Sequence, residues 1–291
     1  MQVYDMEEST ADRAGGSALK AMVSFFTIWQ QDITQQDMDA MERSFHLAPV
    51  IGAFFGIVLI AIMSILFVVN VELGFGSSMF YGIVALATVW IGSKFIHFDG
   101  LTDFGDGMIV SGDREDHVRA LKDTLVGAGG IGVALTVVLF SFSLYSYAGM
   151  YLLLIAPFAE ILVKNAMVVA AAYGKPGNGM AGRQVAMTTM DSVRYSVVIS
   201  LVLGLAFSVL TACVYKGLCG LTDFWAPVIG PLDMFIISLF GLVASVIVGY
   251  LMARKANSVF GMVNGDILGA TNEISRPVIM LVMLIPFIAW L

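Results

Sequence analysis

Residues 47–69 read LAPVIGAFFGIVLIAIMSILFVV, twenty-three positions without a charged side chain. A run of about 20 apolar residues is what a helix needs to cross the hydrocarbon core of a bilayer. Only a helix or a closed barrel satisfies the backbone polar groups there. Six further predominantly apolar runs follow, at about 74–96, 128–147, 149–173, 195–215, 233–253 and 270–291. Of the 291 residues, 58% are hydrophobic and 13% charged, against about 25% charged in a soluble domain. The expected fold is all-α: a polytopic membrane helix bundle of about seven transmembrane helices plus an N-terminal amphipathic helix, in one membrane domain. Residues 1–46 form its N-terminal segment and 47–291 the bundle.

In the N-terminal segment Ala18, Met22, Phe25, Phe26 and Trp29 recur at helical spacing, with Lys20, Ser24 and Gln31 elsewhere around the turn. Such a helix either lies in the membrane interface or packs against the bundle. Lys and Arg set the orientation. With the N-terminus in the cytoplasm, Arg13, Lys20 and Arg43, then Arg114, Arg119 and Lys122, then Lys175, Arg183 and Arg194, then Arg254 and Lys255 all fall inside, and Lys216 alone falls outside. The polar loops 97–127, 174–194 and 254–269 thereby share the cytoplasmic face of the cell membrane. Loop 174–194 is glycine-rich at its start and reads as a mobile lid or a plain connector. Residues 1–16 are polar and acidic and lack the order of a signal peptide. The net charge of −7 gives no basic face for nucleic acid. Cys213 and Cys219 are a poor zinc signal and read as two small apolar residues, or as a disulfide if they face an oxidising compartment. A homo-oligomer stays open.

The stretch from His97 to Gly107 (HFDGLTDFGDG) sets Asp99, Asp103 and Asp106 within eight residues at the end of an apolar run. If it is helical, spacings of four and three put all three on one face. Like charges so crowded call for a cation between them or for protonation. Mg²⁺ fits, because it takes oxygen ligands from one or two carboxylates plus substrate phosphates. Exposed acids on a solvated loop are the plainer alternative. A second acidic stretch, 264–273, holds Asp266 and Glu273 two helical turns apart, with Arg276 following. Glu160 and Lys164 form a pair four apart inside an apolar run, either neutralising each other or meeting substrate. Lys122 and Asp123 precede a glycine-rich helix start at Gly127, where backbone N–H groups attract anions and Lys122 adds a point charge. His97 is the histidine nearest the acids, as a base, an orienter of an aspartate or a structural residue. Walker A, Gly-x-Ser-x-Gly, His-Glu-x-x-His and dinucleotide motifs are absent.

These residues resemble the cobalamin synthase family, the adenosylcobinamide-GDP ribazoletransferases. The hallmark His-x-Asp-Gly-Leu-x-Asp-x-x-Asp-Gly is matched at every fixed position by His97, Asp99, Gly100, Leu101, Asp103, Asp106 and Gly107. The family's Lys-Asp-Ser-Arg-x-Gly segment becomes Lys122, Asp123, Thr124, Leu125 and Gly127. Its C-terminal Gly-Asp-x-Leu-Gly-Ala-x-x-Glu is matched by Gly265, Asp266, Leu268, Gly269, Ala270 and Glu273. Phe25 with Thr27, and Pro49 with Gly52 and Gly56, resemble its N-terminal features. The chain departs from the pattern at Lys94 and Phe95, where the family often has two glycines, and at Leu125 and Ile28, where it often has arginines.

The resemblance implies the joining of adenosylcobinamide-GDP to α-ribazole, or its 5′-phosphate, giving adenosylcobalamin, or its phosphate, and GMP. Such a displacement needs charge neutralisation, in-line positioning and a proton acceptor. The expected roles are Asp99, Asp103, Asp106 and Asp266 as Mg²⁺ ligands, Asp266 or His97 as proton acceptor with Glu273 beside Asp266, and Lys122, Asp123 and Gly127 at the phosphates. Two other classes stay open. A CDP-alcohol-type membrane phosphotransferase also clusters aspartates around Asp-Gly, although its Ala-Arg is not supplied by Leu101-Thr102-Asp103. A cation-coupled transporter would use Glu160, Lys164 and Glu273 as a pathway, although no internal repeat is visible.

Overall fold

The central helix of the bundle, Leu152–Tyr173, is buried from Leu152 through Ala171, as a helix apolar on every face must be. A computed structural model describes residues 16–225 and 229–290; the polar and acidic N-terminal stretch and Arg13 lie outside the described residues. Twelve α-helices are found there: α1 (Ala18–Phe26), α2 (Gln35–Arg43), α3 (Ala48–Leu73), α4 (Ser78–Gly92), α5 (Ile96–Ile109), α6 (Arg114–Leu121), α7 (Ala128–Ala148), α8 (Leu152–Tyr173), α9 (Gly179–Met187), α10 (Met190–Leu221), α11 (Pro231–Val259) and α12 (Gly265–Trp290). Among the described residues the only β pairing is a single bridge, Pro176 with Val263. Helices α3, α10, α11 and α12 pack around α8.

Local chemistry sets the helix starts. Ser77 accepts from the Phe80 N–H, and Asp113 from those of Glu115 and Asp116, while Thr34 and Asp37 form a reciprocal capping box; such caps satisfy the orphan donors of the first turn. Proline stands in the first turn of α3 and of α11, where no N–H is needed.

By length and composition, five helical stretches can cross a membrane, while Ser78–Gly92 and Ile96–Ile109 are apolar enough only as a pair and meet at 92°. The chain is a multi-pass membrane protein. One of the five, Ala128–Tyr173, is not a single rod. The Tyr145 hydroxyl donates to Glu160 Oε1 at 3.4 Å, whereas fifteen residues of continuous helix would separate them by about 22 Å. The chain reverses through a 3₁₀ turn at Gly149–Tyr151, with Gly149 at φ 54°. Segments 128–147 and 149–173 are therefore a tight helical hairpin. The expected straight span at 74–96 is corrected. Helix α4 has 15 residues, shorter than a full crossing, and the chain then turns sharply into α5. Lys94 (φ 56°) and Phe95 (φ 55°) both sit in the left-handed region at that turn. Each costs roughly 1 kcal/mol relative to glycine there, so glycine at either position would relieve the turn.

Among the described residues, the polar connections other than those near 74–77, 149 and 222–225 gather at one end. Gly92 accepts from the Ile28 N–H, Ser196 donates to Asn165, and Asn257 donates to the Tyr173 carbonyl. Helix α5 lies across that end, against the first turns of α7 and α12. Helix α1 packs on the same end, burying Ala21, Met22 and Phe26; of the two placements its pattern allows, the chain adopts the one against the bundle. It ends before Trp29, whose ring meets Phe54 edge-on instead. Loop 174–194 contains α9 and is tied down, with Val263 donating to the Lys175 carbonyl at 2.6 Å and Gly177 to the Val263 carbonyl at 3.2 Å.

Cys213 and Cys219 are free thiols. Both lie on α10, six residues and about 9 Å of rise apart, beyond what a disulfide spans.

Close helix approach depends on small residues, as is usual where lipid supplies no hydrophobic drive between helices. A methyl group on Gly52 of α3 would stand 2.2 Å from the Glu160 carbonyl oxygen of α8, whereas one on Gly132 of α7 meets nothing within 4 Å. Gly52→Ala is expected to destabilise the bundle by about 2 kcal/mol, and Gly132→Ala to leave it unchanged. Thermal unfolding of both variants in one detergent checks this; equal midpoints would contradict the packing.

Candidate active site

Helix α5 carries Asp99, Asp103 and Asp106 at helical spacing, so the three carboxylates share a face as expected. Glycines bring this face to α12. A methyl group on Gly100 would come within 2.8 Å of the Asp266 backbone, and one on Gly269 within 3.2 Å of that of His97. The two acidic motifs thus meet backbone to backbone at the end of the bundle. Burial, then the negative charges of Asp266, Asp99 and Asp106, pushes the Asp103 carboxyl up to about 6. Asn264 Nδ2 donates to Asp266 Oδ2 at 2.7 Å, and Lys122 lies within electrostatic reach of Asp266.

Asp106 behaves differently from its neighbours. Its carboxylate accepts the N–H groups of Gly127 (2.6 Å) and Gly130 (2.7 Å). The anion drawn to the glycine-rich start of α7 is therefore Asp106 itself, an arrangement favoured by the helix dipole and the orphan N–H groups. Methyl groups on Gly127 and Gly130 would collide with this carboxylate at 2.5 and 2.6 Å. This differs from the expectation for Gly127, whose N–H faces Asp106 rather than an open phosphate cradle. Asp123 accepts from the Leu125 N–H in an exposed turn.

Beneath the acids lies a buried polar network. Arg276 pairs with Glu160 and, at 3.2 Å, with Glu273. Trp90 Nε1 and Asn272 Nδ2 also donate to Glu273, at 2.9 and 2.8 Å. Lys164 Nζ meets His97 Nε2 at 3.0 Å and Asn272 Oδ1 at 2.9 Å. The structure thus places Glu273 in this network and not beside Asp266, and it pairs Glu160 with Arg276 rather than with Lys164. His97 is 3% exposed and stacks on Phe26 at 5.7 Å. Burial, then the charges of Lys164 and Arg276, holds its imidazole well below the usual range. With Nε2 taken by Lys164, its ring makes no hydrogen bond to an aspartate among the described residues.

Two concavities flank the acids. A cavity of about 190 Å³ lies between α1, α9 and the junction of α5 with α12, with Asp99, Asp266 and His97 in its wall. On the other side an open groove of about 620 Å³ runs past Lys94, Phe98, Asp99, Thr102 and Val126. Asp99 borders both.

Compared with known proteins, residues 18–284 match the model of the family described as Cobalamin-5-phosphate synthase. The chain belongs to the cobalamin-5-phosphate synthase family. The adenosylcobinamide-GDP ribazoletransferase of Methanocella arvoryzae is 30% identical over 266 residues, covering 89% of this chain and 92% of that one. The protein of the same name from Methanosarcina mazei is 27% identical over 281 residues, covering 89% and 88%, and that from Pyrococcus furiosus 30% identical over 202 residues, covering 68% and 75%. No solved structure matches the chain.

In this synthase fold Asp99, Asp103 and Asp266 come together with Lys122 at the margin, while Asp106, His97 and Glu273 are held by other residues. Among the described residues no three His, Cys, Asp or Glu side chains close on one point as a ready metal shell. Two carboxylates are nonetheless enough for Mg²⁺ when phosphate and water complete the shell, and the mutual repulsion at Asp103 fits a cation there. Sequence reasoning missed Trp90, Asn272 and Gln184, whose partners or cavity are contributed by distant segments and leave no spacing signal.

An Asp103 pKa raised above its unfolded value means that ionised Asp103 destabilises the fold at high pH, and that this cost fades as pH falls from about 6 to the ordinary value of 3.8 and below. Asp103→Asn is expected to stabilise the protein at pH 8 by about 1 kcal/mol, after discounting for solvent screening, and hardly at all near pH 3. Mg²⁺ should raise the unfolding midpoint of the wild type at pH 8 more than that of the variant. The same midpoint difference at both pH values would contradict the charge crowding.

Proposed function

We propose that this chain is a magnesium-dependent adenosylcobinamide-GDP ribazoletransferase, joining adenosylcobinamide-GDP to α-ribazole or its 5′-phosphate with release of GMP, in the nucleotide-loop assembly of cobalamin. The observation that carries this reading is the meeting of Asp99 and Asp103 with Asp266, from two distant motifs, between a groove and a cavity that share Asp99 as a wall. Family membership supports the reaction class.

Asp99, Asp103 and Asp266 would hold the Mg²⁺. When bound, the ion would neutralise the diphosphate and make its phosphorus more electrophilic. The groove takes the corrinoid diphosphate and the cavity takes the acceptor. A ribazole hydroxyl then attacks the corrinoid-side phosphorus from one side while the oxygen of GMP departs on the other, the in-line arrangement that phosphoryl transfer requires. The new P–O bond replaces the one to GMP. The hydroxyl proton passes to Asp266, whose Oδ2 is fixed by Asn264. Lys122 and Lys94, both exposed, stabilise phosphate charge at the margins. Apart from the buried Lys164 and Arg276, the described basic residues gather at the site end, with Lys216 at the other. This supports a cytoplasmic site and N-terminus in the cell membrane.

The purified protein, given adenosylcobinamide-GDP, α-ribazole and Mg²⁺, is expected to release GMP and to stop when the metal is chelated. Asp103→Ala and Asp266→Ala should each lower kcat/KM by about a hundredfold or more, whereas Asp123→Ala should stay within a few-fold. Full activity of Asp103→Ala at limiting Mg²⁺ would remove that residue from the site. A CMP product, or substrate flux without any nucleotide product, would favour the other two classes.

A further inference from the structure

The buried lysine beneath the site decides where the histidine above it carries its proton. Lys164 Nζ stands among groups that accept. Asn272 Oδ1 lies at 2.9 Å and Met167 Sδ at 4.0 Å, and the centroid of the Phe26 ring lies 5.4 Å away. Asn272 is locked in that orientation, because its Nδ2 donates to Glu273 Oε1 at 2.8 Å. An ammonium has donors and no acceptor, so the remaining partner, His97 Nε2 at 3.0 Å, offers it a bare lone pair. The ring proton of the neutral imidazole then sits on Nδ1.

His97 Nδ1 makes no hydrogen bond among the described residues, and it is not one of the polar atoms sealed away without a partner, so it keeps open space beside it. The space that His97 borders is the cavity between α1 and α9; the rest of the side chain is buried. Phe26, parallel to the imidazole within 6°, fixes the plane of the ring. Folded proteins almost always pair the donors of buried side chains, so a lone N–H in a cavity wall marks the place of a ligand acceptor.

The neighbours in that wall select the acceptor. Phe26, Met167 and Leu268 are apolar, and Asp99 and Asp266 stand in the same wall. Away from a bound cation the carboxylates repel an anionic oxygen, while aromatic and thioether groups favour a flat π-system. An uncharged in-plane lone pair on an aromatic ring meets both conditions. At about 190 Å³ the cavity excludes a corrin macrocycle.

We propose that His97, held by Lys164 with its proton on Nδ1, donates to the free ring nitrogen of an N-ribosylated azole and so orients the acceptor, its ribose towards Asp99 and Asp266. This rests on the transferase reading above. His97 is a specificity residue, and Lys164 is a positioning residue that acts through it.

Two measurements on the full chain in detergent test this. The chain has three histidines, so nitrogen-15 NMR of histidine-labelled protein resolves each ring, and His97→Phe identifies the lines of His97. The wild type should show Nδ1 protonated and Nε2 bare, and Lys164→Met should abolish that preference. The second measurement is GMP release from adenosylcobinamide-GDP with Mg²⁺ and α-linked ribosides of benzimidazole or of indole, in which a C–H replaces the free nitrogen. The wild type should favour benzimidazole by about tenfold or more in kcat/KM, mainly through KM. His97→Phe should raise the KM for the benzimidazole riboside about tenfold and level the two substrates. His97→Asn, whose amide nitrogen reaches the Nδ1 position, should rescue that KM to within about threefold of the wild type. His97→Gln, whose amide reaches the Nε2 position, should not, whereas a histidine needed only as a partner for Lys164 would be rescued by Gln. A proton on Nε2 in the wild type, no preference for benzimidazole, or rescue by Gln instead of Asn overturns the assignment. The wild-type spectrum and preference decide even if every variant fails to fold. Absence of GMP with both ribosides would instead bring down the transferase reading and this inference with it, a result distinct from GMP formed without discrimination.

Discussion

The contact on which the site depends is the approach of α5 to α12 at Gly100 and Gly269, where backbone meets backbone and a methyl group added at Gly100 would collide with the Asp266 backbone. It sets Asp99 and Asp103 beside Asp266 although the carboxylates repel. Aspartates on a free helix would turn towards water. Here the packing of apolar α8 against α12, and of α5 against both α7 and α12, offsets the repulsion and keeps the acids crowded. A fold that stores like charges in this way is poised for a cation and for the phosphate oxygens that accompany it.

Two polar devices hold the arrangement. Asp106, the third acid of the motif, fixes α5 to the start of α7 through two short N–H bonds. Deeper in, Arg276 joins Glu160 of α8 to Glu273 of α12, and Trp90 of α4 and Asn272 complete the acceptors of Glu273. Buried ion pairs of this kind add little net stability, but removing one member leaves a charge stranded and costs about 3–5 kcal/mol. Their effect here is geometric: they fix the directions of three helices below the carboxylates. The Lys164–His97 contact extends the network to α5, and Phe26 stacked on His97 extends it to α1. The first helix is thereby part of the wall of the site.

The apolar segments were legible because crossing a bilayer demands a length and a composition that a sequence displays directly. The sharing of one face by Asp99, Asp103 and Asp106 was legible too, since it needs only helical spacing. What spacing does not carry is choice of partner. Glu160 and Lys164 stand four apart, yet Glu160 is drawn to Arg276, more than a hundred positions away. Asp106 looked like a third ligand because its capping partners, Gly127 and Gly130, belong to another helix. The break at Lys94 and Phe95 could be sensed only as two missing glycines, and its 92° angle follows from left-handed backbone that side-chain pattern does not encode.

The central claim is that Asp103 of α5 and Asp266 of α12 serve one cation. Titration of the purified protein with Mn²⁺ in place of Mg²⁺, followed by electron paramagnetic resonance in the presence of pyrophosphate, tests it most directly. One site is expected whose affinity falls about tenfold or more in Asp103→Asn and in Asp266→Asn alike, with the double variant losing less than the product of the two. Binding as tight as the wild type's in both single variants would contradict the claim.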